Sequence, residues 1–284
     1  MDPRTTVVMM TRDRRAQLLT SLAHLSALPE RPPIILVDNG STDGTAAAVR
    51  AAHPEVSLVE PGRNLGAGAR NLGVQLASTP CVAFSDDDSW WAPGALGRAA
   101  EHFDACPRLA VLAARTLVGP QERLDPVSVA MAASPLPVAA DLPGPSVLGF
   151  VACAAVVRRR AFLQAGGFSP VIFFLGEEAV LAQDLAAAGW GLSYADDVVA
   201  HHHPQPGADR RGRRQLQARN DVLSAWLRRP LPVALRHTAA ALRDGDARPS
   251  VPELARRLPA ALRTRRRLPA EVEAQVRLLE TSGG

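Results

Sequence analysis

Short apolar runs rich in β-branched residues alternate with segments of helical spacing through the first hundred residues, and few folds accommodate that order. Residues 6–10, 34–37, 56–59 and 81–84 read as buried strands. Between them, residues 14–27 place Leu18, Leu22 and Leu25 at helical spacing, and 45–52 and 67–76 also suit helices. Strand–helix–strand units of this kind build a mostly parallel sheet flanked by helices, so the fold class is α/β. The polar segments follow the strands, at their carboxyl ends. Ligands of open α/β sheets bind there.

Further along, the proline-rich stretch 119–145 shows no sustained period and reads as a long loop. Regular pattern returns with a strand over 150–157 and a helix over 159–165 closed by Gly166-Gly167. A helix over 178–188 stopped by Gly189 and a strand over 197–200 follow. Beyond Pro206 the pattern is helical and interrupted by prolines 230, 232, 249, 252, 259 and 269. The expected organisation is an α/β domain over residues 1–205 and a basic, mainly helical extension over 206–284.

All 32 basic residues are arginine, and 17 of them lie in residues 201–284 against 8 acidic residues. The first 200 residues are correspondingly acidic. An aromatic fraction of 4%, with no binding motif beside the arginines, argues against nucleic acid as a partner. The extension is expected to present a solvated face, or to dock on the sheet, a partner subunit or an anionic membrane surface. Cys81, Cys106 and Cys153 are odd in number and scattered, which suits reduced thiols rather than a disulfide framework or a zinc site. Charges at Asp2, Arg4 and Arg12 preclude a signal-peptide apolar region, and the longest apolar run, 147–157, falls short of the roughly 18 residues of a spanning helix. The expected location is cytoplasmic, at most peripheral at the inner face of the plasma membrane.

Three segments carry chemistry. The first, Asp38-Asn39-Gly40-Ser41-Thr42-Asp43-Gly44, leaves a strand, turns and enters a helix. A carboxylate there can accept a hydrogen bond from the imide N–H of uracil or thymine, although turn chemistry alone also selects these residue types. The second, Asn64-Leu65-Gly66-Ala67-Gly68-Ala69-Arg70, sets glycines at a helix start and an arginine one turn inside, a combination suited to a diphosphate. A dinucleotide site would carry its glycines after the first strand, where this chain has Thr11-Arg12-Asp13-Arg14. The third, Asp86-Asp87-Asp88, follows an apolar strand directly. Adjacent carboxylates repel one another unless a cation or strong donors compensate, and such oxygen ligands suit Mg²⁺ or Mn²⁺ carried with substrate phosphates.

In this order and spacing the segments resemble the family 2 inverting nucleotide-sugar glycosyltransferases, over residues 5–203. The resemblance implies a GT-A-type, Rossmann-like sheet and a Mn²⁺ or Mg²⁺ cofactor. It implies a nucleotide-diphosphate sugar as donor and a glycan, a lipid-linked molecule or a small molecule as acceptor. By the same resemblance Asp38 holds the donor base, Arg70 contacts the nucleotide, and Thr11 and Asn64 belong to the donor nucleotide site. Asp86, towards the ribose, and Asp88, on the metal, match the outer aspartates of the D-x-D motif. Gly166-Gly167-Phe168 and Phe173-Phe174-Leu175-Gly176-Glu177-Glu178 resemble the family's G-G-F segment and acidic pair, with Glu178 in the general-base position and Glu177 beside it.

Val180 stands where the family often has a further acidic residue. His201, the first of His201-His202-His203, matches the metal-binding histidine. Trp90, Trp91 and Trp190 are candidates for the sugar pocket or for the core. An inverting transfer needs a carboxylate to take the acceptor hydroxyl's proton as that oxygen attacks the anomeric carbon. Two rival readings stand beside this one: a catalytically inactive nucleotide-sugar-binding module, raised by Glu177-Glu178-Ala179-Val180, and a sugar nucleotidyltransferase, whose usual glycine-rich loop is absent from 11–15.

Overall fold

A computed structural model describes residues 3–205, 210–245 and 250–282; Pro206 and Pro249 lie outside the described residues. The alternation of the first hundred residues becomes β1 (Thr5–Thr11), α1 (Arg15–Ser26), β2 (Ile34–Asp38), α2 (Thr45–Ala52), β3 (Ser57–Val59), α3 (Ala69–Leu76) and β4 (Cys81–Asp86). These strands lie parallel in the order β3-β2-β1-β4. Alternation along β1 explains the layering. Val7 and Met9 face Leu18, Leu22 and Leu25 of α1, whereas Val8 joins Val74 of α3 and Phe84 on the opposite face.

The remaining elements are β5 (Ser89–Trp91), α4 (Ala95–Ala105), β6 (Leu109–Val118), β7 (Arg123–Leu124), α5 (Pro126–Ala132), β8 (Ala155–Arg158), α6 (Arg159–Ala165), α7 (Glu177–Ala187) and β9 (Gly191–His202). They extend the sheet as β4-β8-β6-β9-β5, with β7 on β6. Here the pairing turns mixed: β8 runs antiparallel to both β4 and β6, and β5 antiparallel to β9, while β6 and β9 are parallel. The mostly parallel arrangement thus holds for the first half only. The stretch 119–145 is also more ordered than a loop. Asp125 accepts the Val127 N–H at 2.7 Å, and Pro126 fills the first position of α5, a helix too short to display a period.

The C-terminal segment forms α8 (Arg210–Arg228), α9 (Leu231–Arg243), α10 (Val251–Arg263) and α11 (Ala270–Ser282). Val222, Leu223 and Leu227 of α8 and Leu254 of α10 share a core with Val171, Ile172 and Val180, so these helices pack on α7 and the loop before it. Arg228 forks Asp184 of α7 at 2.5 and 2.7 Å, and Arg229 bonds Glu273 and Glu280 of α11. Arg219, Arg228 and Arg229 are only 6%, 4% and 5% exposed, so part of the basic surplus is internal rather than a solvated face. No described helix is long and apolar enough to cross a membrane.

Candidate active site

Parallel register brings three polar residues to one edge. Thr11 pairs with Asp38 across β1 and β2, and Met10 pairs with Asp86 across β1 and β4, so the carboxyl ends of three adjacent strands deliver Thr11, Asp38 and Asp86 side by side. Asp38 is 3% exposed and its Oδ1 accepts the Ser41 N–H at 2.8 Å, closing the turn that leaves β2. The buried Asn39, which the sequence reading passed over, clamps the next loop: its Oδ1 accepts from Leu65 N at 2.7 Å and its Nδ2 donates to Gly66 O at 3.0 Å. Asn64 is exposed, and its Oδ1 accepts the Gly66 N–H at 2.8 Å. It shapes its own turn.

The acidic triplet spans the β4–β5 junction and its three carboxylates diverge. Asp86 Oδ1 accepts from Arg70 Nη2. Asp87 Oδ2 accepts from Thr11 Oγ1 at 3.0 Å, and its Oδ1 lies 3.0 Å from Arg14 Nε. Thr11 is therefore committed to Asp87. Asp88 Oδ2 accepts from Arg14 Nη2 at 2.8 Å, and its Oδ1 lies 3.5 Å from His202 Nε2. Burial pushes the Asp87 carboxyl up to about 7, with Asp86 and Asp88 adding to the shift and Arg14 opposing it. Burial would raise Asp88 as well, but His202 and Arg14 outweigh it and hold that carboxyl below its ordinary value. The charge is reciprocated: burial disfavours the His202 imidazolium, and Asp88 more than restores it.

His201, the expected ligand, and His202 point apart, and it is His202 that faces Asp88. Neighbouring residues of β9 point to opposite faces; His202 is paired with Ser89 and turns to Asp88, whereas His201 stacks on Trp90 and lies 3.2 Å from Glu122 Oε1. The sequence placed the histidine at the end of a strand but left its register open. Trp91 is fully buried, and the half-buried Trp90 packs on the core and stacks on His24.

Arg70, the expected nucleotide contact, lies inside the protein. It is 2% exposed, lies beneath Asp86, and has Nη1 3.7 Å from Glu177 Oε1, so it links the Asp86–Asp88 triplet to the acidic pair. Arg70 Nε and Nη1 and Glu177 Oε2 have no hydrogen-bond partner among the described residues. The half-exposed Arg14, which sequence spacing did not single out, is a second cation of the cluster. Glu177 and Glu178 open α7 after Gly176, whose φ is +85°. Burial, with Glu178 beside it and Arg70 opposing, pushes Glu177 up to about 8. Burial also raises Glu178, against bonds from its own N–H and that of Ala152.

The loop that carries this pair is braced from outside. Phe173 and Leu175 adopt φ of 71° and 68°, a left-handed conformation costly for non-glycine residues. Four successive carbonyls hold it: Ile172 O accepts from Arg219, Phe173 O from Ala67 N at 2.6 Å, and Phe174 O and Leu175 O both from Asn220 Nδ2 at 2.6 Å. Gly66 permits the close approach, since a Cβ there would sit 2.1 Å from Phe173 O. No described group of three or more His, Cys, Asp or Glu forms a complete metal cage. Asp88 and His202 nevertheless offer an oxygen and a nitrogen to one point, and Mn²⁺ or Mg²⁺ is ordinarily held by one or two protein ligands plus substrate phosphates.

Comparison with known proteins agrees with this architecture. The N-acetylglucosaminyl-diphospho-decaprenol L-rhamnosyltransferase of Mycobacterium tuberculosis is 29% identical over 281 residues, covering 82% of this chain and 90% of that one. Mannosyltransferase PcManGT from Pyrobaculum calidifontis, solved with GDP-Man and Mn²⁺, superposes with a TM-score of 0.61 at 23% identity, covering 100% of this chain and 77% of that one. S. aureus TarS 1–349, solved with UDP, gives 0.54 at 16% identity over 97% of this chain and 91% of that one. These two share the GT-A fold with the chain. The profile of glycosyl transferase family 2 matches residues 6–165, more than half the sequence, and the chain belongs to that family.

Proposed function

We propose that this glycosyltransferase transfers a sugar, with inversion, from a nucleoside diphosphate sugar to a hydroxyl of a lipid-linked acceptor. The observation that carries the reading is the charge-linked cluster in which Arg70 ties Asp86 to Glu177 while Asp88 faces His202. Asp38 holds the base and Asp86 the ribose; Glu178 takes the proton of the acceptor hydroxyl. Its raised pKa supports that role, because a carboxylate in a dry pocket is a stronger base than one in water. Asp88 and His202 would hold Mn²⁺ or Mg²⁺, which when bound neutralises the leaving diphosphate. The lipid-linked acceptor is suggested by the mycobacterial relative, whose name specifies an N-acetylglucosaminyl-diphospho-decaprenol substrate.

Calorimetry of UDP, dTDP and GDP with and without Mn²⁺ tests the donor site. Binding is expected to weaken in EDTA and in Asp88→Ala, and Asp38→Ala should cost about 1.5–3 kcal/mol towards the preferred base. Undiminished affinity in EDTA and in both variants would remove the assignment. A transfer assay separates the enzyme from an inactive binding module, since the module would bind donor and release no diphosphate.

A further inference from the structure

We infer that the outward face of α9 is a membrane-docking surface that seats on an anionic bilayer, an inference that rests on the lipid-linked acceptor reading. The inner face of α9 is spoken for: Val233 and Ala234 are buried, and Thr238 Oγ1 accepts from Trp226 Nε1 of α8 at 2.9 Å. The outer face carries Leu231 and Leu235, one helical turn apart and 55% and 57% exposed, continued by Leu242 at 49%. A single exposed leucine needs no explanation, but a leucine row on one helical face does.

Charge identifies the occupant. Residues 231–243 contain no acidic residue, and Arg236 and Arg243, both exposed, flank the leucine row. The acidic groups nearby are engaged: Glu280 of α11 is bonded to Arg229 and Asp221 of α8 to Gln217, and Asp244 lies beyond the helix end. Between α9 and α11 a groove of about 580 Å³ adjoins the row; Arg236, Arg277 and the Arg229-bonded Glu280 line it with Pro232 and Val233, and it gives room for a headgroup. Leucines on one face and arginines beside them are the composition of an interfacial helix, held by apolar burial together with attraction to anionic lipid.

The placement also serves the chemistry. Only two residues separate α8 from α9, so α9 folds back along α8, and His237 interacts with Asp221. Asp221 neighbours Asn220, which holds the loop before Glu177, and Gln217 one turn earlier lies against Gly176. A bilayer on α9 would therefore lie on the side of the molecule from which α8 supports the acidic pair.

Flotation of the full chain with acceptor-free vesicles tests the inference. Binding to vesicles containing phosphatidylglycerol is expected to exceed binding to pure phosphatidylcholine by roughly 10-fold or more, and to fall as salt rises. Leu231→Glu with Leu235→Glu should abolish it, and Arg236→Gln with Arg243→Gln should reduce it by about 10-fold, with melting temperature and nucleotide binding unchanged. Equal binding to both vesicle types would overturn the inference, as would binding by the leucine variant at the level of the parent chain. A dimer in solution that Leu231→Glu with Leu235→Glu converts to monomer, with no vesicle binding by either, would assign the face to a second copy and overturn it too. Because the vesicles lack acceptor, their failure counts against the docking face alone. Failure to glycosylate a polyprenyl diphosphate acceptor in detergent counts against the acceptor reading alone.

Discussion

Glu177 is buried beside Glu178, and the distant side of Arg70 and its own backbone N–H only partly offset this, so its protonation is coupled to folding. Its carboxyl titrates near 4.5 when unfolded and near 8 when folded, so between those values the native state holds a proton that the unfolded chain has released. The stability this contributes is complete below about pH 4.5 and is lost as pH rises through about 8. In the protein without donor, the melting temperature of Glu177→Gln should accordingly fall less between pH 5 and pH 8 than that of the parent chain. Parallel slopes would show that Glu177 is ionised throughout. Glu178→Gln addresses catalysis instead: it keeps size but cannot accept a proton, so transfer should drop roughly 10²-fold or more while donor binding stays near that of the parent. Wild-type transfer by that variant would move the base elsewhere. The histidines divide by face, so His202→Ala should weaken Mn²⁺-dependent nucleotide binding several-fold and His201→Ala should leave it unchanged; the reverse order, by calorimetry, would assign the ligand to His201.

At the scale of elements, the site depends on a loop whose backbone is unfavourable by itself. Two left-handed non-glycine residues cost on the order of 1–3 kcal/mol each, and the amide of Asn220 holds the loop by satisfying two of its carbonyls. Asn220→Ala should destabilise the protein by about 1–3 kcal/mol and lower kcat more than donor affinity; Asn220→Asp, which sets a carboxylate against two carbonyl oxygens, should be worse. Urea denaturation together with donor calorimetry checks the order, and an Asn220→Asp variant as active as the parent would show that the bracing is dispensable. Such bracing is invisible in sequence because its partners are backbone groups 45 and 46 residues away, and carbonyls carry no residue identity. What was legible shares one property, a local signal. The strands β1 to β4, the helices between them and the aspartates at their carboxyl ends all follow from periodicity within a dozen residues. By contrast, β6 is rich in alanine, β5 has three residues, and the choice between His201 and His202 depends on which residue of β9 faces Ser89.

The whole molecule raises the question of where the catalytic unit ends. Composition and prolines suggest a boundary at residues 205 and 206, and the family profile ends at residue 165. Packing argues for a larger unit. Val171, Ile172 and Val180 are at most 8% exposed only because α8 and α10 cover them, and Asp184 of α7 has Arg228 as its bidentate partner. A chain ending at residue 205 would bare that apolar surface and leave Asp184 without its cation, besides releasing the carbonyls that Arg219 and Asn220 hold. Removing one partner of a buried ion pair alone costs about 3–5 kcal/mol, a large fraction of the 5–15 kcal/mol that stabilises a typical domain. The truncated chain should therefore bind a hydrophobic dye, lose near-ultraviolet circular dichroism and aggregate, while the full chain should unfold in calorimetry as a single transition in which both parts melt together. Two separated transitions, or a truncated chain that melts cooperatively and binds nucleotide with the affinity of the full chain, would restore the boundary at 205 and make the helices an accessory rather than the support of the acidic pair.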